Sequence, residues 1–144
     1  RSDAEASCRE LGIGDAVRFL GKLEAVEEVL SVADLFLMPS EAESFGLAAL
    51  EAMACEVPVI STNTGGLPEL NLQGVTGFMS NVGDVEDMTR KSLFILDKNN
   101  LPRFKENALK RAQEFDISRV LPQYESYYQQ VLEKAKEKVT MRLR

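Results

Sequence analysis

Short apolar runs alternate with helix-forming stretches through the first half of this chain, and that alternation leaves few folds open. Residues 17–20, 35–38 and 57–61 each read as a strand, with Pro58 at the start of the third, where proline is tolerated. Between them, Val26, Val29, Leu30 and Ala33 recur at helical spacing, which predicts an amphipathic helix over residues 25–33. Leu47, Leu50 and Ala54, with Ala48, Ala49 and Ala52 beside them, predict a second helix over residues 45–55. Strand, helix, strand in this order implies crossover connections and a parallel sheet, so the expected fold class is α/β. Ligands of such sheets bind at the carboxyl ends of the strands. The loops at Gly21-Lys22, residues 40–44 and residues 62–68 should therefore share one rim.

The middle loop carries the densest chemistry. Pro39 ends a strand, residues 40–44 are polar, and Ser44 is the expected N-cap of the helix beginning at Phe45. Gly46 would let a ligand approach the first turn closely. Glu43 precedes the helix, and Glu51 lies roughly 9 Å along its axis from Phe45 at about 1.5 Å rise per residue. A helix N-terminus favours an anion, whereas Glu43 beside it repels one. A diphosphate at the helix end resolves the conflict if a sugar hydroxyl reaches Glu43 and a ribose diol reaches Glu51. Taken alone, two glutamates eight residues apart are better read as solvated charges on an amphipathic helix. The loop over residues 62–69 has a similar ambiguity. Gly65 and Gly66 permit positive φ or close backbone approach, and Pro68 suits a first helical position. By itself the loop reads as a flexible connection into an ordinary helix.

Composition removes whole classes of function. The 144 residues suffice for one domain with a core, and 44% are apolar. Net charge is −6 without a long basic run, which argues against a nucleic-acid surface. No apolar run approaches the roughly 20 residues of a membrane span, and no signal peptide opens the chain. Cys8 and Cys55 are expected to be free buried thiols of a cytoplasmic protein. With no histidine, a histidine base, a histidine-bound metal and a Ser-His-Asp triad are excluded within this chain.

Elsewhere, residues 3–11 predict a short helix closed by Gly12, and residues 74–79 a turn and a last short strand. Asp84 and Asp87 are weaker as metal ligands than as the cap and acidic first turn of a helix over residues 84–96. Residues 102–115 predict the next helix. The last spans residues 118–138, carrying Val120, Leu121, Tyr124, Tyr127, Tyr128, Val131 and Leu132, a stripe that reads as core packing. Pro122 requires a position near that helix's start or a kink, and the tail beyond residue 138 is expected to fray.

Glu43-Ser-Phe-Gly-Leu, Leu50-Glu51-Ala-Met-Ala-Cys, Val57-Pro-Val-Ile and Gly65-Gly66-Leu-Pro-Glu69 together resemble the retaining nucleotide-sugar glycosyltransferases of family 4. The resemblance runs over about residues 17–128. It implies a Rossmann-like parallel sheet, part of the C-terminal domain of a GT-B glycosyltransferase, over residues 1–116. Residues 117–144 would form a C-terminal helix crossing toward an N-terminal partner domain. By matching position, Glu43 would touch donor-sugar hydroxyls as the catalytic-centre carboxylate. The backbone of Ser44, Phe45, Gly46 and Leu47 would meet sugar and phosphates, and Glu51 the ribose. Gly65 and Gly66 would border the donor, and the backbone of Arg18, Phe19 and Leu20 would lie near uracil.

The family's Gly-Arg…Lys segment, whose basic pair neutralises the diphosphate, has no match here. The chain is therefore expected to be most of a donor-binding half, inactive alone. Glu56 stands where the family usually has the glycine that ends the motif helix, at a cost of about 1 kcal/mol if the left-handed geometry is kept. Further matches include Phe19-Leu-Gly-Lys22, Gly74-Val-Thr-Gly77-Phe, Asn81-Val-Gly-Asp84 and Gln123-Tyr-Glu-Ser-Tyr-Tyr128. They resemble the branch of the family that joins N-acetylglucosamine from its UDP donor to L-malate in bacillithiol biosynthesis. The implied partners are a nucleotide sugar and a small acceptor, with no metal or other cofactor. An open sheet edge would also promote association of copies into a homo-oligomer.

Overall fold

The computed structural model describes residues 2–142, with side chains through residue 135. The element order is α1 (Ser2–Glu10), a 3-10 turn (Gly14–Ala16), α2 (Val26–Leu30), β1 (Phe36–Met38), α3 (Leu47–Ala54), β2 (Val59–Thr62), α4 (Leu67–Leu70), β3 (Gly77–Ser80), α5 (Val85–Leu96), α6 (Leu101–Glu114) and α7 (Ile117–Arg142). The three strands form one parallel sheet in the order β1-β2-β3. Phe36 stands opposite Val59, and Val59 opposite Gly77. Central β2 is buried along its whole length, as a parallel strand covered on both faces must be.

Alternation along β2 sends Val59 and Ile60 into different clusters. Val59 joins Leu30, Ala49, Ala52, Met53, Leu67, Leu70, Ala108 and Ala112, so α2, α3, α4 and α6 cover one face. Ala49 and Ala52 of α3 and Ala108 and Ala112 of α6 are small, which lets these two helices pack directly on each other. Ile60 joins Ile95 and Phe104 on the other face, where α5 lies. Asn71 ties the layers together. Its buried amide donates to the carbonyl oxygens of Val59 and Phe78, both at 3.1 Å, and to Ser61 Oγ at 3.0 Å, and its own oxygen accepts from Thr76 Oγ1 at 2.9 Å.

α3 ends in a Schellman turn. The N–H of Glu56 donates to the Met53 carbonyl at 3.1 Å and that of Val57 to the Ala52 carbonyl at 3.0 Å. Closing those bonds requires a left-handed residue between, and Glu56 takes that conformation at φ 62°. Asp84 caps α5 as expected, accepting from the Asp87 N–H at 3.0 Å.

Several expectations are corrected. Residues 17–20 form no strand, because extended backbone becomes one only where a neighbour completes the ladder. Gly21-Lys22 is therefore no strand-exit loop. α3 starts at Leu47, not Phe45, and its N-cap is Gly46 at φ 95° with no side-chain cap bond, so Ser44 is not the cap. Cys8 and Cys55 are free but half-buried. The stripe on α7 is not core: Leu121, Tyr124, Tyr127, Tyr128, Val131 and Leu132 are all exposed, and none of them belongs to either buried cluster. Helix α7 continues beyond residue 138 to Arg142, and Leu143 and Arg144 lie outside the described residues. No helix among the described residues is long and apolar enough to cross a membrane.

Glu56→Gly is expected to stabilise the fold by about 1 kcal/mol, because the left-handed position then carries no Cβ penalty. Urea unfolding monitored by circular dichroism would show the midpoint rise, and an unchanged midpoint would mean that the turn relaxes at no cost.

Candidate functional site

The strand-exit loops after β1, β2 and β3 are laced together by hydrogen bonds. Thr62 Oγ1 donates to the Ser40 carbonyl at 2.5 Å and Thr64 Oγ1 to the Glu41 carbonyl at 3.3 Å. The Gly66 N–H donates to the Glu43 carbonyl at 3.3 Å. Asn63 joins the third loop, its Nδ2 donating to Asn81 Oδ1 at 2.9 Å and its N–H to the Ser80 carbonyl at 3.0 Å. The rim thus forms at the carboxyl ends of the strands, with residues 81–84 as a member that sequence reasoning missed.

Gly65 and Gly66 explain why the first two loops can approach so closely. A Cβ at Gly65 would lie 1.5 Å from the Glu43 carbonyl oxygen, and one at Gly66 would lie 2.4 Å from that of Ser44. Gly65 also has φ 55°, a region that residues with a Cβ rarely adopt. Both glycines are therefore required by backbone-to-backbone packing against the loop that carries Glu43. Gly46 is explained in the same way: it is buried, and a Cβ there would sit 2.6 Å from Leu67 Cδ2. The atom that an added Cβ would meet belongs to a side chain of α4.

The carboxylate of half-buried Glu43 accepts from the Ser44 N–H at 3.0 Å, which folds the side chain back over its own loop. Phe45 turns inward, and its ring meets that of Phe115 edge-on at 5.6 Å. Leu47 and Glu51, one turn apart on α3, are both exposed and share a helix face. With no side chain capping α3, its first-turn N–H groups remain available to an acceptor. The structure thus gathers Glu43, Ser44, Phe45, Gly46, Gly65 and Gly66, with Leu47 and Glu51 following on the helix that this loop enters. Arg18, Phe19 and Leu20 are exposed, and none of the hydrogen bonds lacing the rim involves them.

Electrostatically the rim is short of cations. Between Lys22 and Arg90 the chain has no lysine or arginine, while Glu41, Glu43, Glu51 and Glu69 all fall in that interval. Lys91 is committed beneath the rim, donating to the Met79 carbonyl at 2.6 Å and pairing with Asp87. Asp87 also accepts from Ser80 Oγ at 2.7 Å. The Lys91 hydrogen bond, seconded by that from Ser80, holds the Asp87 carboxyl below its ordinary value of 3.8. Among the described residues no cluster of histidine, cysteine, aspartate or glutamate could hold a metal ion.

The family model of the group 1 glycosyl transferases matches residues 1–111. This chain belongs to that family. It is 43% identical over 129 residues to the N-acetyl-alpha-D-glucosaminyl L-malate synthase of Bacillus anthracis, covering 86% of this chain and 33% of the relative. It is 42% identical over 91 residues to a D-inositol 3-phosphate glycosyltransferase of Mycolicibacterium smegmatis, covering 62% of this chain and 21% of the relative. The chain thus spans a third or less of the length of these curated relatives. Among solved structures, the sucrose-phosphate synthase of Thermosynechococcus elongatus superposes with a TM-score of 0.81 at 30% identity, over 91% of this chain and 34% of that one. Anabaena HepE, solved in complex with UDP and glucose, gives 0.79 at 28% identity, over 89% and 36%. The fold is accordingly the α/β, parallel-sheet fold of GT-B glycosyltransferases.

Two outcomes are expected. Gly65→Ala should destabilise the fold by about 3 kcal/mol, because the Glu43 carbonyl must move; an unchanged melting temperature would show that the loops separate freely. Asp87 contributes stability that is fully present above 3.8 and lost as pH falls through its lowered folded-state value. Asp87→Asn should therefore melt lower than wild type near neutral pH, with the difference closing in acid. A constant difference across the titration would exclude this linkage.

Proposed function

We propose that this chain is the donor-binding part of a retaining glycosyltransferase that takes a sugar from a nucleoside diphosphate, with UDP-N-acetylglucosamine as donor and L-malate as acceptor. What supports the reading is one rim that joins Glu43, an uncapped helix start and Glu51, in a chain of the group 1 family. The 43% identity to the glucosaminyl L-malate synthase supports the choice of donor and acceptor.

In this scheme the diphosphate lies at the first turn of α3, where the N–H groups of residues 47–49 offer donors and the helix end carries about half a positive charge. Glu43 accepts from donor-sugar hydroxyls and Glu51 from the ribose. Ser44, Phe45, Gly46 and Leu47 supply backbone contacts, with Gly65 and Gly66 closing the border. The backbone of Arg18, Phe19 and Leu20 flanks the uracil. The acceptor hydroxyl attacks the anomeric carbon on the face that the phosphate leaves. A carbon–oxygen bond to the acceptor forms as the bond to the β-phosphate oxygen breaks, and the departing phosphate takes the acceptor's proton. No metal or other cofactor enters. Phosphate charge is balanced by N–H dipoles here and by basic groups from outside residues 23–89, which have none. The exposed α7 stripe would pack toward a partner domain that holds the acceptor. Residues 1–144 by themselves should turn over no nucleotide sugar.

The test is to incubate the full-length protein carrying this chain with UDP-N-acetylglucosamine and L-malate and weigh the products. A glucosaminyl-malate product is expected, with Glu43→Ala and Glu51→Ala each losing about 10- to 100-fold in kcat/KM, the equivalent of one charged hydrogen bond. UDP release only with another acceptor, such as an inositol phosphate or a cell-surface glycan, would retain the donor assignment and remove malate. Absence of any turnover, with UDP binding indifferent to Glu51, would leave a non-catalytic binding module.

A further inference from the structure

Arg111 lies on α6, away from the residues assigned to the donor, yet it touches both elements that hold the donor loop. Its side chain is only 18% exposed. Nε donates to the Leu70 carbonyl at 3.1 Å, and a terminal nitrogen donates to the Glu69 carbonyl. These are the last carbonyls of α4, a single turn of four residues that cannot satisfy them internally. Another terminal nitrogen pairs with Glu114, and the guanidinium carbon Cζ lies over the ring of Phe115, 4.8 Å from its centroid. Phe115 in turn meets Phe45 edge-on at 5.6 Å.

We propose that Arg111 is a positioning residue for the donor site, clamping the Glu43–Gly46 loop from both ends. One route runs through α4 to Gly66, whose N–H holds the Glu43 carbonyl at 3.3 Å. The other runs through Phe115 to the Phe45 ring. Ser44 lies between the two anchors, and Gly46 and the first turn of α3 follow directly after the second. Only arginine meets these demands at once, because its planar fork donates in several directions while its face stacks on an aromatic ring. Lysine retains the charge at the end of α4 and loses the stack. Phe115 is also the C-cap of α6, two residues before α7 begins, so the clamp ties the donor loop to the point where the chain turns into α7.

The proposal rests on the donor reading for its kinetic effect but has a structural readout of its own. In the full-length protein, Arg111→Lys and Arg111→Met should accelerate amide hydrogen exchange at Ser44, Phe45, Gly46 and Gly66. They should raise the donor KM by about 10-fold while kcat at saturation stays within about twofold, with lysine the milder change. Phe104→Leu, in the core cluster on the other face of the sheet, serves as the control. It should lower the melting temperature without changing exchange at those four amides or the donor KM. Unchanged loop exchange in both Arg111 variants, or equal acceleration in Phe104→Leu, would overturn the clamp. Faster loop exchange in the Arg111 variants alone, in a protein that binds no UDP, would uphold the clamp and remove the donor reading.

Discussion

Two peptide backbones in contact, Gly65-Gly66 against Glu43-Ser44, decide where the chemistry of this chain can be. A methyl group at Gly65 would overlap the Glu43 carbonyl at 1.5 Å, so the contact exists only because both positions lack side chains. It joins the exits of β1 and β2, and the hydroxyls of Thr62 and Thr64 reinforce it from the same side. The loop so held leads through a left-handed Gly46 directly into α3. Position and direction of that helix start, and with them the placement of Glu51, follow from a contact that contains no functional group.

Beneath this rim the supports are polar as well as apolar. Asn71 bonds simultaneously to β2 and β3 and to Thr76. Asp87, Ser80 and Lys91 pin the carboxyl end of β3 to α5. Such groups are costly to bury unless every one is paired, so their satisfaction makes the register of the rim specific. The apolar clusters on the two faces supply most of the gain from burial, roughly 1.5–3 kcal/mol for each fully enclosed large side chain.

Much of this could be read in advance, and the failures have identifiable causes. Apolar runs with helix-forming neighbours announced β1, α3 and β2, because burial on both sides of a parallel sheet writes itself into the sequence, and the Asp84 cap with its acidic first turn announced α5. Glu56 in a helix-ending position was legible from the family resemblance, which puts a glycine there. The strand expected at residues 17–20 was not formed, since apolar alternation reports a tendency to extend and says nothing about whether a pairing edge is present. Ser44 was mistaken for the cap because serine has the right chemistry there; the left-handed Gly46 two residues on starts the helix instead. The sequence marked the glycines as points of close approach without showing that their Cβ sides face protein backbone and Leu67. Arg111 and Asn71 carried no local signal beyond a charge between the alanines at 108 and 112 and an amide between leucines.

By itself, then, the sequence determined the α/β class, the order of elements from β1 onward and the pair of glutamates flanking a helix start. Those properties depend on neighbours within one or two turns, where side-chain period and cap chemistry act. Which loops touch, which glycine is needed for what, and which distant arginine supports the donor loop were decided only by tertiary structure. Each depends on groups 20 to 70 positions apart whose approach is set by the packing of α3, α4 and α6 on one face of the sheet, such as Glu43 and Gly66, or Phe45 and Phe115.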